Sequence, residues 1–451
     1  MTERMKAVAA GGAVAAFWLA VWVLVAGLVA QPLILPGPGA VAVALLRLVC
    51  DASTWAILAG SGARILGGLA LAAVCGGLLA GISSRSRAFA RLVAPALSFV
   101  KATPVACVVV LLLIWLGSAR VSIAAVLLMA LPGVYFSLVE GLAQVDKPLE
   151  QMFRLHGVRS WRLLFAHTWR EVLPFVLSCA RAVIGMSWKA GVAAELIGMA
   201  TDTVGERIYQ AKLLIETADL LAWTVLVVAA SWACERVLVW LLRASGPAAW
   251  RAAVRSHGHG LRGRAGAASD GAAAELALAV GDRAPWAPAL DGLVLNVPAG
   301  GRICVMGASG VGKSTLLALA AGECAPCSMV FQDVRLVEDA SALDNVLVCA
   351  DARVSASSAA ALLRRLVPGI DVHARVAELS GGQRRRVEIA RALLCGGCAV
   401  ILDEPFTGLD TFARDATAEV MLDLLNGRML LLATHDVADA QALNISDIIT
   451  L

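Results

Sequence analysis

Hydrophobic residues are distributed unevenly along this chain, and that unevenness constrains the fold more than any other feature. Residues 1–242 contain long uncharged runs, whereas the chain after Ala244 has the turns and charges of a water-soluble domain. The mean hydropathy of +0.78 and the charged fraction of 16% are typical of a membrane protein. We therefore expect a multi-domain chain: an all-α transmembrane domain (1–243), a flexible linker (244–274) and an α/β domain (275–451).

Six largely apolar runs, the first of them uncharged, are long enough to cross a bilayer: 8–30, 57–82, 98–116, 121–142, 172–194 and 220–242. We interpret the first run as a retained span, because it is longer than the apolar core of a signal peptide. Fifteen Lys and Arg residues lie on the side of the termini and four in the opposite loops. The positive-inside rule then predicts a multi-pass protein of the inner (cytoplasmic) membrane with both termini cytoplasmic.

Three of the cations inside the predicted spans bear on the interpretation of this domain. Arg64 lies near the end of its span and is expected to snorkel towards water. Arg181 and Lys189 are eight residues apart, which places them on one broad helix face. They either pair with an acid, Glu140 or Glu195, or line a pathway that favours anions, and the sequence leaves both readings open.

A phosphate-binding loop is predicted in the soluble half. The strand 302–306 enters the stretch GASGVGKS (307–314), which fits the pattern G-x-x-x-x-G-K-[ST] at every position. Backbone N–H groups of such a loop wrap phosphates, the lysine reaches the β- and γ-phosphates, and the hydroxyl binds Mg²⁺. The ATP-binding residues predicted here are Gly307, Ala308, Ser309, Gly310, Val311, Gly312, Lys313, Ser314 and Thr315.

Two further strands end in polar residues suited to the same chemistry. Residues 399–402 lead into Asp403, predicted as a Mg²⁺ ligand with Ser314, and Glu404, predicted to polarise the attacking water. Residues 430–433 lead to His435, predicted to contact the γ-phosphate and that water. The carboxyl ends of strands in a doubly wound sheet form the ligand edge, so Lys313, Glu404 and His435 are the predicted catalytic residues.

A second helix start also favours anions. Ser380 and Gln383 have the spacing of a capping box, and a helix amino terminus attracts phosphate. Together with the phosphate loop, the stretch LSGGQ (379–383) resembles the signature of ABC-transporter ATPase domains. That resemblance implies phosphate contact by Ser380, Gly381, Gly382 and Gln383, a Mg²⁺-contacting and permease-sensing role for Gln332, and an interface role for Asp410. Trp286 is the ring available to stack on adenine, although it is displaced from the family's usual position.

The loop 143–172 contains Gly157 and either Glu150 or Gln151 at the motif's glutamate position, and the pair Leu173-Pro174 follows it. This pattern resembles the coupling loop of ABC importer permeases. Gln151 to Phe153 replace that family's two alanines. The stretches LPGPGAVAVAL (35–45), KATPVACVVVLLLIWLG (101–117) and SWKAGVAAELIG (187–198) are similar to permeases of the nitrate/sulfonate/taurine type. The fold implied is a six-helix transmembrane domain followed by a P-loop ABC ATPase domain.

The resemblance implies a half-transporter that acts as a homodimer, with each ATP held between Lys313 of one copy and Ser380 of the other. The expected cofactors are ATP and Mg²⁺. The expected partners are a second copy, an extracytoplasmic solute-binding protein, the lipid membrane and a small solute, without nucleic acid. The alternatives are an exporter half-transporter and an ATP-driven signalling or mechanical device. The segment between the phosphate loop and Gln332 is short, so part of the antiparallel lobe is expected to be missing.

Two Cys-x-x-Cys pairs, Cys324 with Cys327 and Cys395 with Cys398, have the spacing of zinc or redox motifs. Both are predicted at the sheet edge away from the nucleotide, where they can meet. The competing interpretation is incidental cysteines in a reducing cytosol.

Overall fold

The protein is described by a computed structural model that covers residues 2–158, 160–256, 275–280, 287–324 and 327–451, without the side chains of residues 2–11 and 288. The chain forms two compact units. One unit contains Met1–Gln144 and Val172–Ser245, and the other contains Val145–Glu171 and Gly246–Leu451. The predicted coupling loop therefore belongs to the unit that also holds the ATPase motifs.

Helices make up the amino-terminal half of the chain. They are α1 Thr2–Val29, α2 Pro38–Cys50, α3 Ala52–Arg85, α4 Arg87–Ala102, α5 Val105–Leu116, α6 Ser118–Ala143, α7 Lys147–Leu155, α8 Ser160–Leu163, α9 Trp169–Gly198, α10 Val204–Leu213 and α11 Thr217–Arg255. The π-helical turn Leu164–Thr168 joins α8 to α9.

Five helical segments of the described chain are long and apolar enough to span a membrane, and a bent pair raises the number to six. That pair is α4 and α5, which meet at 103°. The span predicted at 98–116 therefore contains a sharp bend, and it counts as a sixth span only if the bent pair crosses the membrane as one. The break falls at Thr103 and Pro104, since proline lacks an N–H and disfavours helical geometry in the residue before it.

Small residues allow the membrane helices to pack closely. A Cβ at Gly68 of α3 would lie 2.6 Å from the Ile123 carbonyl oxygen of α6, and one at Gly191 of α9 would lie 2.5 Å from Cγ1 of Ile65. Side chains at these two positions would force the helices apart. Glycine thus fixes the contacts of α3 with α6 and α9, as small residues do in membrane proteins generally.

A buried ion pair lies among the same helices. Arg64 Nε donates to Glu195 Oε1 at 3.2 Å, and Ser61 Oγ donates to Glu195 Oε2 at 2.8 Å. Glu195 is fully buried. Arg64 is only half-buried and also donates to the Asp202 carbonyl oxygen in exposed surroundings, so its reach towards water stays a prediction. Glu195 is the partner of Arg64 rather than of Arg181 or Lys189. Both of those cations are exposed within their unit.

The second unit is built around a five-stranded parallel sheet of order β4-β5-β6-β3-β7. Its strands are β3 Arg302–Met306, β4 Ser328–Val330, β5 Ala399–Asp403, β6 Met429–Thr434 and β7 Asp447–Thr450. Beside them, β1 Leu276–Ala279 pairs antiparallel with β2 Val294–Val297. In the described residues the antiparallel lobe is this one pair, in agreement with the short segment before Gln332. The helices are α12 Lys313–Glu323, α13 Ala342–Leu347, α14 Ala356–Leu366, α15 Gly381–Leu394, α16 Thr411–Leu424 and α17 Val437–Ala442.

One continuous apolar core fills this unit, and the coupling loop is part of it. Leu149, Met152 and Phe153 of α7 are buried together with the sheet and its helices. Trp250 and Ala253, from the end of α11, join the same core. The sequence gives the end of α11 an apolar stripe at helical spacing, which explains its burial.

The flexible linker predicted for 244–274 is therefore wrong over its first part, because α11 continues to Arg255. Residues 257–274 lie outside the described chain. The apolar run typical of a membrane helix ends near residue 243, but helix α11 itself continues to Arg255. Its last turns are stabilised by burial in the second unit rather than by lipid.

Candidate nucleotide site

The phosphate loop lies between β3 and α12. Its backbone requires glycine at Gly310 and Gly312, whose φ values are +83° and +112°. A Cβ at Gly312 would also approach Ala287 and Leu290 to 3.3 Å. Lys313 Nζ turns back over the loop and donates to the carbonyl oxygens of Gly307 (2.6 Å) and Ala308 (3.1 Å). The loop is thus a backbone cradle with a buried cation at its base.

Asp403 ends β5 beside the first turn of α12. Its side chain is 3% exposed and hydrogen-bonds with the hydroxyl of Ser314. Burial raises the pKa of Asp403, as does the neighbouring charge of Glu404, while the Ser314 bond and Lys313 act in the opposite direction. The sequence-predicted pair Ser314 and Asp403 is therefore brought together, with a carboxylate that lacks a full counter-charge.

Glu404 has a left-handed backbone conformation, with φ of +48°, that is costly for a residue other than glycine. Its N–H is bonded to the Ala433 carbonyl oxygen at 2.9 Å, which holds the strained residue against β6. The Glu404 carboxylate and His435 Nδ1 lie 2.9 Å apart. This hydrogen bond raises the pKa of His435, whose ring is otherwise exposed. Two of the predicted catalytic residues thus contact each other directly.

The sequence did not indicate the partner that orients the end of β6. Thr434 Oγ1 donates to Asp439 Oδ2 at 2.7 Å and accepts from the Asp436 N–H at 3.1 Å. These bonds fix the turn that presents His435. A Thr-His-Asp run after a buried strand is the only sequence signal for this arrangement.

The second predicted anion site lies at the start of α15. The capping box is present: the Gln383 N–H donates to Ser380 Oγ at 3.3 Å, and the Ser380 N–H donates to Gln383 Oε1 at 2.9 Å. The N–H groups of Gly381 and Gly382 have no acceptor in the described chain. Ser380 and Gly381 are exposed. The helix start is therefore rigid, accessible and still able to donate two hydrogen bonds.

The remaining predicted site residues have different surroundings. The Gln332 side chain is exposed, two residues beyond β4, and its carbonyl oxygen accepts a hydrogen bond from Arg385. Asp410 caps α16 by accepting from the Ala413 N–H at 2.7 Å. Ser309 is exposed, and Val311 and Thr315 are half-buried. Trp286, the predicted adenine-stacking ring, lies outside the described residues.

The coupling loop is bonded to the side of the sheet near β4. The Cys327 N–H donates to the Leu155 carbonyl oxygen at 3.0 Å. Arg162 is buried and donates to the carbonyl oxygens of Val348 (2.7 Å) and Ala253 (3.2 Å). Polar bonds to backbone therefore accompany the shared apolar core.

The two cysteine pairs meet, as expected, but only in part. The thiols of Cys324 and Cys398 hydrogen-bond with each other. Cys395 Sγ instead contacts the His156 carbonyl oxygen at 3.5 Å, and Cys327 Sγ lies 3.6 Å from the Ala321 carbonyl oxygen. In the described chain no group of three or more His, Cys, Asp or Glu residues is arranged to hold a metal ion. The geometry gives no support to a four-cysteine zinc site.

Two protein-family models match the chain. "Binding-protein-dependent transport system inner membrane component" matches residues 73–251, and "ABC transporter" matches residues 323–407. The first match covers most of the membrane helices. The second covers the region from the end of α12 to Thr407, just past Glu404.

Curated proteins resemble the carboxyl-terminal region. The taurine import ATP-binding protein TauB of Chromobacterium violaceum is 38% identical over 178 residues, which are 34% of this chain and 68% of that protein. The aliphatic sulfonates import ATP-binding protein SsuB of Escherichia coli K12 is 35% identical, with the same coverage. SsuB 1 of Rhizobium johnstonii is 36% identical over 34% of this chain and 64% of its own length. The chain thus spans about two thirds of the length of these relatives.

Proposed function

This chain belongs to the ABC transporter family, with a permease region and an ATPase domain on one polypeptide, and from that premise we propose that it hydrolyses ATP to drive uptake of a small organic anion. The observation that carries the proposal is the assembled site itself. The phosphate loop, the acids after β5 and the histidine after β6 converge at one end of a parallel sheet.

Glu404 is the proposed base for the attacking water. Its carboxylate is 13% exposed and bonded to His435, so it is oriented and largely shielded from bulk solvent. His435, with its raised pKa, donates from Nδ1 to that carboxylate and so holds it in place for the water. Lys313 provides the fixed positive charge at the base of the loop, where charge develops on the transferred phosphoryl group.

Mg²⁺ fits the residues beside the loop. Asp403 is a buried carboxylate with a raised pKa and a hydroxyl partner, and hard cations prefer such oxygen ligands. We propose that Ser314, Asp403 and the exposed side chain of Gln332 hold the ion. When bound, it neutralises charge on the β- and γ-phosphate oxygens.

The active form is proposed to be a homodimer with two composite ATP sites. The start of α15 has two free N–H donors and an exposed surface, but its own capping box satisfies its side chains. An ATP bound at Lys313 of one copy would supply the missing phosphate acceptor for Ser380–Gln383 of the other. Asp410, at the exposed start of α16, is assigned to the same interface.

Mixing two inactive variants tests this arrangement. Lys313→Ala removes one half of a site and Ser380→Arg blocks the other, so each homodimer is expected to be inactive. A mixed dimer has one fully intact composite site. About one quarter of wild-type activity should return on mixing, since half of random pairs are mixed and each has one of two sites. A mixture that stays as inactive as its components would exclude composite sites, provided that both variants still bind the membrane and remain dimeric.

The coupling loop is proposed to pass ATP-driven closure to the membrane helices. Its helix α7 is buried in the ATPase core, which is the contact that such a role requires. By the excess of Lys and Arg near the termini, we propose that the termini and the ATPase domain are cytoplasmic.

The solute is proposed to be an organic sulfonate delivered by an extracytoplasmic binding protein. The relatives named for taurine and aliphatic sulfonates support this class. Arg181 and Lys189 of α9 are both exposed in their unit and have no acid partner in the described residues. Cations in a membrane helix avoid lipid, so a pathway that carries anions between two copies suits them.

Uptake into liposomes tests the proposed transport. The full chain is reconstituted with an extracytoplasmic sulfonate-binding protein, and taurine and ethanesulfonate are offered with ATP and Mg²⁺. We expect ATP-dependent accumulation of at least one of them, and ATP hydrolysis stimulated by the loaded binding protein. Stimulation by a cationic or neutral solute alone would overturn the sulfonate assignment, and solute movement in the opposite direction would favour an exporter.

A further inference from the structure

Helix α15, called the signature helix below, contains a buried ion cluster that the proposed chemistry does not use. Arg385, Glu388 and Arg391 are each at most 3% exposed. Arg385 Nη1 lies 2.9 Å from Glu388 Oε2, and Arg391 Nη2 lies 3.4 Å from Glu388 Oε1. Burial of three charges is costly unless their remaining hydrogen bonds are also made. The partners of those remaining bonds therefore show what the cluster holds.

The cluster holds the backbone of the segment that follows β4. Arg385 donates to the carbonyl oxygens of Phe331 and Gln332, Glu388 Oε1 accepts from the Arg335 N–H at 2.6 Å, and Arg391 donates to the Arg335 carbonyl oxygen. Both backbone groups of Arg335 are thus fixed to the signature helix. Movement of that helix has to move this segment with it.

The side chain of Arg335 points to the coupling loop. Its guanidinium lies 3.5 Å from the centre of the Phe331 ring, which fixes its direction by a cation–π contact. Arg335 Nη1 donates to the Pro148 carbonyl oxygen at 3.1 Å and to Gln151 Oε1 at 3.2 Å. These acceptors lie in the first turns of α7.

We propose that Arg335 is the positioning residue that ties the signature helix to the coupling loop. Its backbone moves with Glu388 and Arg391, and its side chain moves with Pro148 and Gln151. Displacement of the signature helix on ATP binding then reaches the first turns of α7 directly. The backbone bond at the other end of α7, from the Cys327 N–H to the Leu155 carbonyl oxygen, comes from the residue before β4 and not from that helix. This inference rests on the proposed function, since it names the residue through which the ATPase acts on the permease.

Hydrogen exchange of the full chain in lipid nanodiscs tests the inference without knowledge of the solute. ATP with Mg²⁺ is added to a Glu404→Gln background, which keeps the nucleotide bound. In the Glu404→Gln protein that keeps Arg335, ATP is expected to slow hydrogen exchange both in residues 379–384 and in α7. With Arg335→Met, protection of 379–384 should persist while the change in α7 falls about tenfold, the effect of losing a charge-assisted hydrogen bond.

Arg154→Met is the matched control, because Arg154 lies on α7 itself and bonds only to Glu150 in the described chain. Arg154→Met should leave the ATP-dependent change of hydrogen exchange in α7 at its full size. Arg335→Lys retains a charge but loses the planar fork, so an intermediate response is expected. Equal responses of α7 in Arg335→Met and Arg154→Met would overturn the inference. Because the readout is not uptake, failure of sulfonate transport would leave this result standing, and the two proposals fail separately.

Discussion

Two helix amino termini in the ATPase unit are suited to bind phosphate, and they differ in how far their own chain satisfies them. At the start of α12, Lys313 is buried and bonded to loop carbonyls, and Ser314 is bonded to Asp403. At the start of α15, Ser380 and Gln383 bond to each other and the turn is exposed. The first is a pocket formed within one chain, whereas the second is an exposed surface with N–H donors that its own chain does not use.

The difference separates nucleotide binding from catalysis. In the homodimer proposed above, one chain holds its ATP at α12, and the start of α15 gains phosphate contacts only when another copy supplies the nucleotide. Variants at α12 should therefore impair binding in a single chain. Variants at α15 should impair only what the dimer does.

Glu404→Gln is expected to give the largest effect of these variants on ATP turnover. It should impair the hydrolytic step without changing the phosphate contacts of the two helix ends. The amide cannot accept the proton of the attacking water, so turnover should fall by about 10²–10⁴-fold. ATP affinity should change little, since α12 and α15 are intact. Phosphate release and nucleotide binding measure the two quantities, with Asp423→Asn, a surface acid bonded to Arg365, as the control. A parallel loss of binding and turnover would contradict the assignment of Glu404 as the base.

A pair of glycine variants compares the two helix ends directly. Gly312→Ala places a Cβ at φ +112° and 3.3 Å from Ala287, so ATP affinity should fall about tenfold even in a single chain. Gly381→Ala meets nothing within 4 Å in its own chain, so folding and ATP affinity should stay unchanged while hydrolysis falls. Titration of a fluorescent nucleotide and phosphate release distinguish the two. Weakened ATP affinity in Gly381→Ala would remove the distinction between pocket and surface.

Acidification is expected to lower the folding stability of the ATPase unit by protonating His156 of the coupling loop. Burial, with the nearby charge of Arg391, lowers the pKa of His156 to about 3. In the unfolded chain the ring titrates near its ordinary value of about 6.5, so folding stability is full above that pH and falls as pH decreases towards 3. Between pH 7 and pH 5 the loss should be about 2 kcal/mol.

Thermal unfolding at the two pH values measures this loss. His156→Leu should abolish the part of the pH dependence that His156 causes. His373→Leu, which changes an exposed histidine, should retain it. An unchanged pH dependence in His156→Leu would show that the ring is not buried in its neutral form.

The smallest expected effect concerns the cap of the signature helix. Ser380→Ala removes the side-chain acceptor for the Gln383 N–H and should lower the free energy of unfolding by about 1 kcal/mol. Ser355→Ala, at the cap of α14, provides a reference of the same kind. A much larger loss at Ser380 than at Ser355, measured by denaturant unfolding, would mean that the turn is held by more than its capping box.

Much of the ATPase site was predictable because each strand and motif is local in sequence. The bounds expected for β3, β5 and β6 agree with the structure to within one residue, and Ser314 lies against Asp403 as expected. Contacts between distant segments were not predictable from spacing. Glu195 pairs with Arg64, 131 residues earlier, and α11 extends beyond its apolar run because another unit buries its end.

Burial of the coupling loop and the end of α11 in the ATPase core has a practical consequence for dissection of this protein. A protease that cuts between residues 256 and 275 would not release the ATPase unit. The amino-terminal fragment would stay attached, because its side chains Leu149, Phe153 and Trp250 are buried in that core. The unit is assembled from two separate stretches of chain, Val145–Glu171 and Gly246–Leu451. A version expressed from residue 275 onwards would lack the first stretch and the start of the second, and would expose the apolar surface that they cover.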